Sequence, residues 1–245
     1  MGGALCLVAL LMSATVAADD FRYSVLLIGN SHSSRGDLPG VLQQLLEFDG
    51  TALANVKAVG NWAFLAERLE DNKTQETLES GPWTHVVLQA QKYSTSGRYF
   101  YPTAAAEEWI RRSRSIGAQP ILFPEWARRG NLEEGPRVHR LHLGIAAREP
   151  ACVAPIGVAW EIMLNTNPGI RLHHRDGNHA NRTGALLTAY VLYAVITGRS
   201  MTELPPIKIR GVSEDTQVLL RIAAEKAISL APPCDLETWT NAVGR

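Results

Sequence analysis

The stretch that decides the fold runs from residue 23 to residue 33 and reads YSVLLIGNSHS. Residues 23–28 form an apolar run with the length and composition of a buried strand, and Gly29 ends it. Polar residues follow at once, before a pattern of helical spacing over residues 38–48. The sequence therefore predicts a strand, a short polar turn and a helix, in that order.

The same alternation continues along the chain. Apolar runs predict further strands at residues 53–59, 85–88, 120–123 and 152–158, and helical patterns occupy residues 63–69, 103–116 and 138–148. Short apolar strands that alternate with helices are typical of an α/β fold whose parallel sheet is covered on both faces. Because no long linker, repeat or low-complexity tract interrupts the pattern, we expect residues 19–245 to form a single domain.

Two helices are predicted near the end of the chain, over residues 181–198 and from an N-cap at Ser213 to about residue 230. The first is strongly apolar, so a membrane span is an alternative interpretation. Its apolar run is short and includes Arg182, Thr183 and Thr188, which favours a buried core helix. We therefore expect no integral membrane segment in the mature chain.

The first eighteen residues have the pattern of a secretory signal peptide. They contain no charged side chain, and an apolar run over residues 4–12 precedes small residues that end at Ala17 and Ala18. The run is too short to span a bilayer. We expect cleavage after Ala17 or Ala18 and export of the mature chain, either to a periplasm or out of the cell. A buried N-terminal helix is the alternative.

Composition excludes several classes of function. The 245 residues include 24 Lys and Arg and 24 Asp and Glu, so the formal charge is zero and no binding to nucleic acid is expected. None of the three cysteines lies in a Cys-x-x-Cys motif, so a cysteine-type zinc module is not expected. Export would leave Cys152 and Cys234 in an oxidising compartment, where they could form a disulfide or remain two buried thiols.

Two polar segments have the residue types of a nucleophilic catalyst. Ser31 follows the first strand, where ligands bind in parallel sheets, and Asp176 and His179 directly precede the helix at residue 181. A serine hydroxyl needs a base to accept its proton, and a carboxylate can orient the imidazole that does so. Taken separately, Ser31 could cap a turn, and Asp176 could cap a helix beside a solvated histidine.

Taken together, these segments resemble the SGNH (GDSL-like) hydrolase superfamily. The resemblance rests on Gly29-Asn30-Ser31 after the first strand, on Gly60 after the second and on Asp176-x-x-His179 before a C-terminal helix. It implies a three-layer α/β/α sandwich with a central, mainly parallel five-stranded sheet, which is a flavodoxin-like arrangement.

The resemblance also implies roles for individual residues. Ser31 would be the nucleophile, His179 the general base and then acid, and Asp176 its orienting partner, while the Ser31 and Gly60 amides would form an oxyanion hole. The family usually adds an Asn after the third strand, where this chain has Gln89 and Gln91. We expect Gln89, or alternatively Gln91, to supply that donor.

These assignments predict an exported serine esterase that acts on a small ester or a carbohydrate O-acetyl group. No metal or organic cofactor is expected, because the His139/His142 and His173/His174 pairs lack further ligands at metal-like spacing. One alternative is an acyltransferase that uses the same site. The other is a non-catalytic, carbohydrate-binding protein that has the same fold.

Overall fold

The computed structural model of the chain describes residues 22–61 and 63–234. The expected signal peptide at residues 1–18 lies outside the described residues. Five strands form one sheet in the order β2-β1-β3-β4-β5, with every neighbouring pair parallel. The strands are β1 (Tyr23–Asn30), β2 (Ala54–Asn61), β3 (His85–Leu88), β4 (Gln119–Leu122) and β5 (Cys152–Val153). This order is the flavodoxin-like one, so the expected fold class is confirmed.

Eight α-helices connect and cover the strands in the described part of the chain. They are α1 (Leu38–Leu46), α2 (Leu65–Arg68), α3 (Asn72–Ser80), α4 (Ala104–Ser115), α5 (Glu134–Arg148), α6 (Ile156–Thr166), α7 (Arg182–Thr197) and α8 (Glu214–Leu230).

Successive side chains of β1 point to opposite faces of the sheet, as the pleat of a strand requires. Val25 and Leu27 join the core that α1, α6, α7 and α8 cover, whereas Leu26 and Ile28 join the core under α2, α3, α4 and α5. Both cores are apolar and fully shielded from solvent at these positions. The sheet is therefore the middle of three layers.

The predicted fifth strand is wrong beyond its first two residues. It was expected to span residues 152–158, but β5 ends at Val153 and Pro155 is the N-cap of α6. Proline lacks the N–H that a strand ladder needs, and it is readily accommodated where a helix begins. Helix α3 was not predicted either, because it is polar and buries only Thr74 and Leu78.

Helix α7 is a core helix, as predicted. Every residue from 184 to 196 is buried, and the Asn181 side chain caps the helix by accepting a hydrogen bond from Gly184 N at 3.0 Å. A Cβ at position 184 would overlap the indole of Trp160, so glycine allows α7 to pack closely there. No helix in the described residues has both the length and the apolar character needed to cross a bilayer.

Cys152 and Cys234 form a disulfide, with their Cα atoms 4.4 Å apart. The sequence left this pairing open. The bond joins β5 to the segment that follows α8, and Val153 N also donates a hydrogen bond to Pro233 O at 2.6 Å. The last described residues are therefore held beside β5, at the edge of the sheet.

The burial of two histidines predicts that the folded protein loses stability in acid. Burial lowers the pKa of His85 and of His142 to about 4, below the value of about 6.5 for an unfolded histidine. Because the folded state resists protonation, each group contributes stability that is complete above pH 6.5 and is lost as the pH falls towards 4. We expect each histidine to lower the free energy of unfolding by about 2–3 kcal/mol when the pH falls from 7.5 to 4.5.

His142→Leu is the variant that tests this expectation, since His142 Nε2 is buried without a hydrogen-bond partner. Urea unfolding followed by tryptophan fluorescence at the two pH values measures the loss. The variant should lose less stability on acidification than the wild type does. An identical loss in both proteins would show that His142 does not contribute to the pH dependence.

Candidate active site

Ser31 lies where β1 leaves the sheet. It is the first residue of a short 3-10 helix, Ser31–Ser33, at the carboxyl edge of the parallel strands. The Asn30 side chain accepts a hydrogen bond from His32 N at 3.0 Å, and Ser33 Oγ donates to Asn30 O at 2.7 Å. These two local bonds define the turn, so the position of Ser31 follows from the end of β1.

Asp176 organises the loop that precedes α7. Its Oδ1 accepts hydrogen bonds from the backbone N–H groups of Asn178 and His179, each at 2.9 Å. Its Oδ2 accepts from His179 Nδ1 at 2.7 Å and lies 3.3 Å from His174 Nδ1. Partial burial opposes ionisation, but these donors outweigh it and hold the pKa of the Asp176 carboxyl well below its usual range. The group is therefore a carboxylate at neutral pH.

The serine turn and the aspartate loop meet. Ser31 Oγ lies 2.8 Å from His179 Nε2, although 148 positions separate the two residues in the chain. Because the Asp176 carboxylate only accepts, His179 Nδ1 carries the ring proton and Nε2 is left to accept the hydroxyl proton of Ser31. The structure thus brings all three expected residues into one hydrogen-bonded series, with the imidazole in the tautomer that a general base requires.

His32 packs against the imidazole of this series. The rings of His32 and His179 are stacked, with centroids 4.8 Å apart, and the Trp126 ring lies 5.2 Å from His32 on another side. His32 Nε2 is 3.3 Å from Asn178 Nδ2, so it accepts a hydrogen bond from that amide. Burial is the main cause that lowers the pKa of His32. A neutral ring therefore supports His179 without repelling the imidazolium form.

Gly60 lies beside the serine turn. It is the last but one residue of β2 and pairs in register with Gly29, two positions before Ser31. Ser31, as the first residue of a helical turn, has a backbone N–H without a partner inside that turn. The structure therefore places both expected backbone donors at the same edge of the sheet.

The structure does not support Gln89 or Gln91 as a donor to an oxyanion. Gln89 is completely buried: its Oε1 accepts from Asn30 N at 2.7 Å, and its Nε2 donates to the carboxylate of Glu125. The Nε2 of Gln91 donates to two backbone carbonyl groups, at 2.8 and 3.1 Å. Both amides are used inside the protein, so the expectation that one of them faces the reacting carbonyl is corrected.

Gln89 instead connects the serine turn to Glu125. The carboxylate of Glu125 is nearly buried, accepts a hydrogen bond from Tyr93 Oη at 3.2 Å and lies 3.9 Å from His32 Nε2. Burial and the nearby carboxylate raise the pKa of Tyr93, so the phenol remains a donor. A buried polar network thus joins three strand ends: those of β1, β3 and β4.

Sequence reasoning missed Glu125, which directly precedes Trp126 in the chain. The available signal was its position, because it comes three residues after β4, at the edge where the ligand site of a parallel sheet is found. Trp126 Nε1 donates to Asn178 O at 2.8 Å and its ring stacks on Trp160 at 4.1 Å. It therefore supports the loop that carries His179.

His139, His142 and His173 lie outside this series, whereas His174 Nδ1 lies 3.3 Å from Asp176 Oδ2. His139 and His142 belong to α5, and His142 Nδ1 bonds to Val138 O inside that helix. His173 Nε2 bonds to Ala127 O at 2.8 Å. Among the residues that the structure describes, no three His, Cys, Asp or Glu side chains form a group that could hold a metal ion.

Comparison with known proteins identifies the fold. No family model and no curated protein sequence matches this chain. A DUF4886 family protein from Bacteroides uniformis matches with a TM-score of 0.70 and 17% identity, over 89% of this chain and 98% of that one. A candidate SGNH hydrolase from Slackia heliotrinireducens matches with a TM-score of 0.57 and 25% identity, over 70% and 97% of the two chains.

A catalytic mutant of an acetylxylan esterase from Geobacillus stearothermophilus matches with a TM-score of 0.51 and 14% identity, over 72% of this chain and 95% of that one. The resemblance to the SGNH superfamily and its three-layer fold is therefore confirmed.

Removal of the buried Gln89 amide is expected to lower the stability of the protein. Gln89→Ala would leave Asn30 N without a partner beneath the serine turn and would remove the donor to Glu125 Oε1, so that only the hydrogen bond from Tyr93 to Glu125 Oε2 would remain. We expect a loss of about 2–4 kcal/mol in the free energy of unfolding, measured by urea denaturation. Gln91→Ala is the matched control, because its amide contacts only carbonyls of the β3–α4 connection. Equal losses in the two variants would contradict a special role for Gln89.

Proposed function

We propose that the protein is an exported serine hydrolase that cleaves carboxylic esters. The observation that carries this proposal is the series from Ser31 Oγ to His179 Nε2, at 2.8 Å, and from His179 Nδ1 to Asp176 Oδ2, at 2.7 Å. Nucleophile, base and orienting carboxylate have the connectivity required for acyl transfer through a serine.

The first half-reaction forms an acyl-enzyme. Ser31 Oγ attacks the ester carbonyl while His179 Nε2 accepts the hydroxyl proton, and the carbonyl π electrons move to its oxygen. When the tetrahedral intermediate collapses, the C–O bond to the alcohol breaks and His179 returns the proton to the departing oxygen. Asp176 stabilises the imidazolium and holds its orientation throughout.

The second half-reaction regenerates the enzyme. Water attacks the acyl carbon, His179 accepts its proton and then protonates Ser31 Oγ as the acid product leaves. The negative oxygen in both steps would be stabilised by the backbone N–H groups of Ser31 and Gly60. All proton transfers use side chains of this chain, so the reaction requires no metal or organic cofactor.

For the substrate we propose a small ester or a carbohydrate O-acetyl group. The reacting groups are accessible, since Ser31 is half-buried and the side chain of His179 is 19% exposed. The acetylxylan esterase that shares the fold has an activity of this kind.

Replacement of the nucleophile tests the chemistry. Wild-type protein should hydrolyse p-nitrophenyl acetate, and Ser31→Ala should abolish turnover because no hydroxyl remains to be acylated. Asp176→Asn should lower kcat by about 10³–10⁴-fold, because the imidazole is no longer held in the correct tautomer. The release of p-nitrophenol measures both effects.

A fluorophosphonate probe supplies the control for these measurements. It should label wild-type protein at Ser31, as identified by mass spectrometry of the peptide. Undiminished hydrolysis by Ser31→Ala would exclude Ser31 as the nucleophile. Absence of labelling in folded wild-type protein would instead favour the non-catalytic alternative. Transfer of the acetyl group to an added sugar in preference to water would favour the acyltransferase.

Export is the second part of the proposal. It is supported by the uncharged, apolar pattern of residues 1–18 and by the Cys152–Cys234 disulfide, since such bonds persist in oxidising compartments. A fusion of residues 1–30 to alkaline phosphatase, which is active only outside the cytoplasm, should be active in a bacterial host. The same fusion with Leu10→Arg should be inactive, because a charge interrupts the apolar run. Equal activity of the two fusions would contradict the proposed signal.

A further inference from the structure

A cavity lies next to the loop that carries His179, and residues 171–173 and 175, which precede that histidine, form part of its lining. It has a volume of about 600 Å³. One part of the lining, here called the apolar wall, is apolar. Among the described residues, four arginines also line the cavity and no aspartate or glutamate does. The arginines are Arg128, Arg129, Arg171 and Arg175, and the apolar wall includes Leu132, Leu164 and Ile170.

The positive charge of this cavity is mostly uncompensated. Of the four arginines that line the cavity, only Arg128 has the carboxylate of a described residue within 4.0 Å, that of Glu134 at 3.9 Å. That carboxylate already accepts hydrogen bonds from Arg128 N and Asn131 Nδ2. Because the whole chain has a formal charge of zero, the four arginines form a local excess of charge and do not reflect a basic protein.

Hydrogen bonds from Arg129 connect the cavity to the loop that carries His179. Arg129 N donates to Gly177 O at 2.8 Å, and its guanidinium donates to His174 O at 2.7 Å. Arg175 directly precedes Asp176, the partner of His179. A group bound among the arginines would therefore lie next to the segment that positions the general base.

We propose that this cavity binds a negatively charged group, a carboxylate or a phosphate, carried by the ester substrate. Guanidinium groups bind both oxyanions through paired N–H donors, and the apolar wall suits the C–H face of a sugar ring. The inference rests on the proposed function and narrows it: the preferred ester is anionic, and its charge is held apart from the acyl group that Ser31 attacks.

Binding is measured by calorimetry with the Ser31→Ala variant, which cannot turn over the ligand. The probes are O-acetylated digalacturonate, acetylated glucose 6-phosphate and neutral acetylated cellobiose. At low ionic strength we expect at least one anion to bind about 10-fold or more tightly than the neutral sugar, and this preference should shrink in 0.5 M salt. The tighter of the two anions identifies the source of the charge.

Two charge-removing variants, each added to Ser31→Ala, locate the site. Arg171→Gln with Arg175→Gln should reduce the affinity for the anion about 10-fold. Lys208→Gln with Arg210→Gln removes the same charge from the exposed segment before α8, which does not line the cavity, and should leave the affinity unchanged. Equal effects of the two pairs, or equal affinity for the anions and the neutral sugar, would overturn the proposal.

Failure of this inference is distinguishable from failure of the proposed function. Arginine-dependent binding of an anion, together with no ester hydrolysis by the wild type, would support the cavity as an anion site and reject the esterase. Hydrolysis of p-nitrophenyl acetate together with no preference for anions would keep the esterase and reject the cavity.

Discussion

The arrangement of the whole site depends on the pairing of β1 in the middle of the sheet. β1 bonds to β2 on one side and to β3 on the other, and its apolar residues are buried on both faces. The point at which it ends is therefore fixed in three dimensions. Ser31 follows immediately, and the ends of β3 and β4 deliver Gln89 and Glu125 to the same edge. Parallel pairing thus converts separate stretches of sequence into one cluster of polar groups.

Much of this arrangement was predictable because it follows from apolar patterns. Buried strands and the core helix α7 are long or strongly apolar, so their burial dominates the local preferences of individual residues. The meeting of Ser31 with Asp176 and His179 follows from their places before and after such elements. The polar helix α3 and the helix after Pro155 have weaker patterns, and there the sequence alone did not distinguish helix from loop or strand.

The roles of the two glutamines could not be read in the same way. A glutamine at a strand end can face either a ligand or the protein, and the choice depends on partners that come from distant segments. Here Glu125 provides an acceptor and Asn30 a donor, so Gln89 turns inward. The arginine cavity is a similar case, because residues 128–129 and 171–175 are far apart in sequence and only the fold collects their charge.

The disulfide protects a sheet edge through which copies of this protein could associate. β5 is a sheet edge only two residues long, and the segment at Pro233 already occupies the Val153 N–H on its outer side. An open edge is a template for intermolecular strand addition, which leads to domain swapping and aggregates. The Cys152–Cys234 bond keeps the protecting segment in place. Reduction would release that cover. The tendency of the protein to aggregate during long storage therefore depends on whether Cys152 and Cys234 are oxidised.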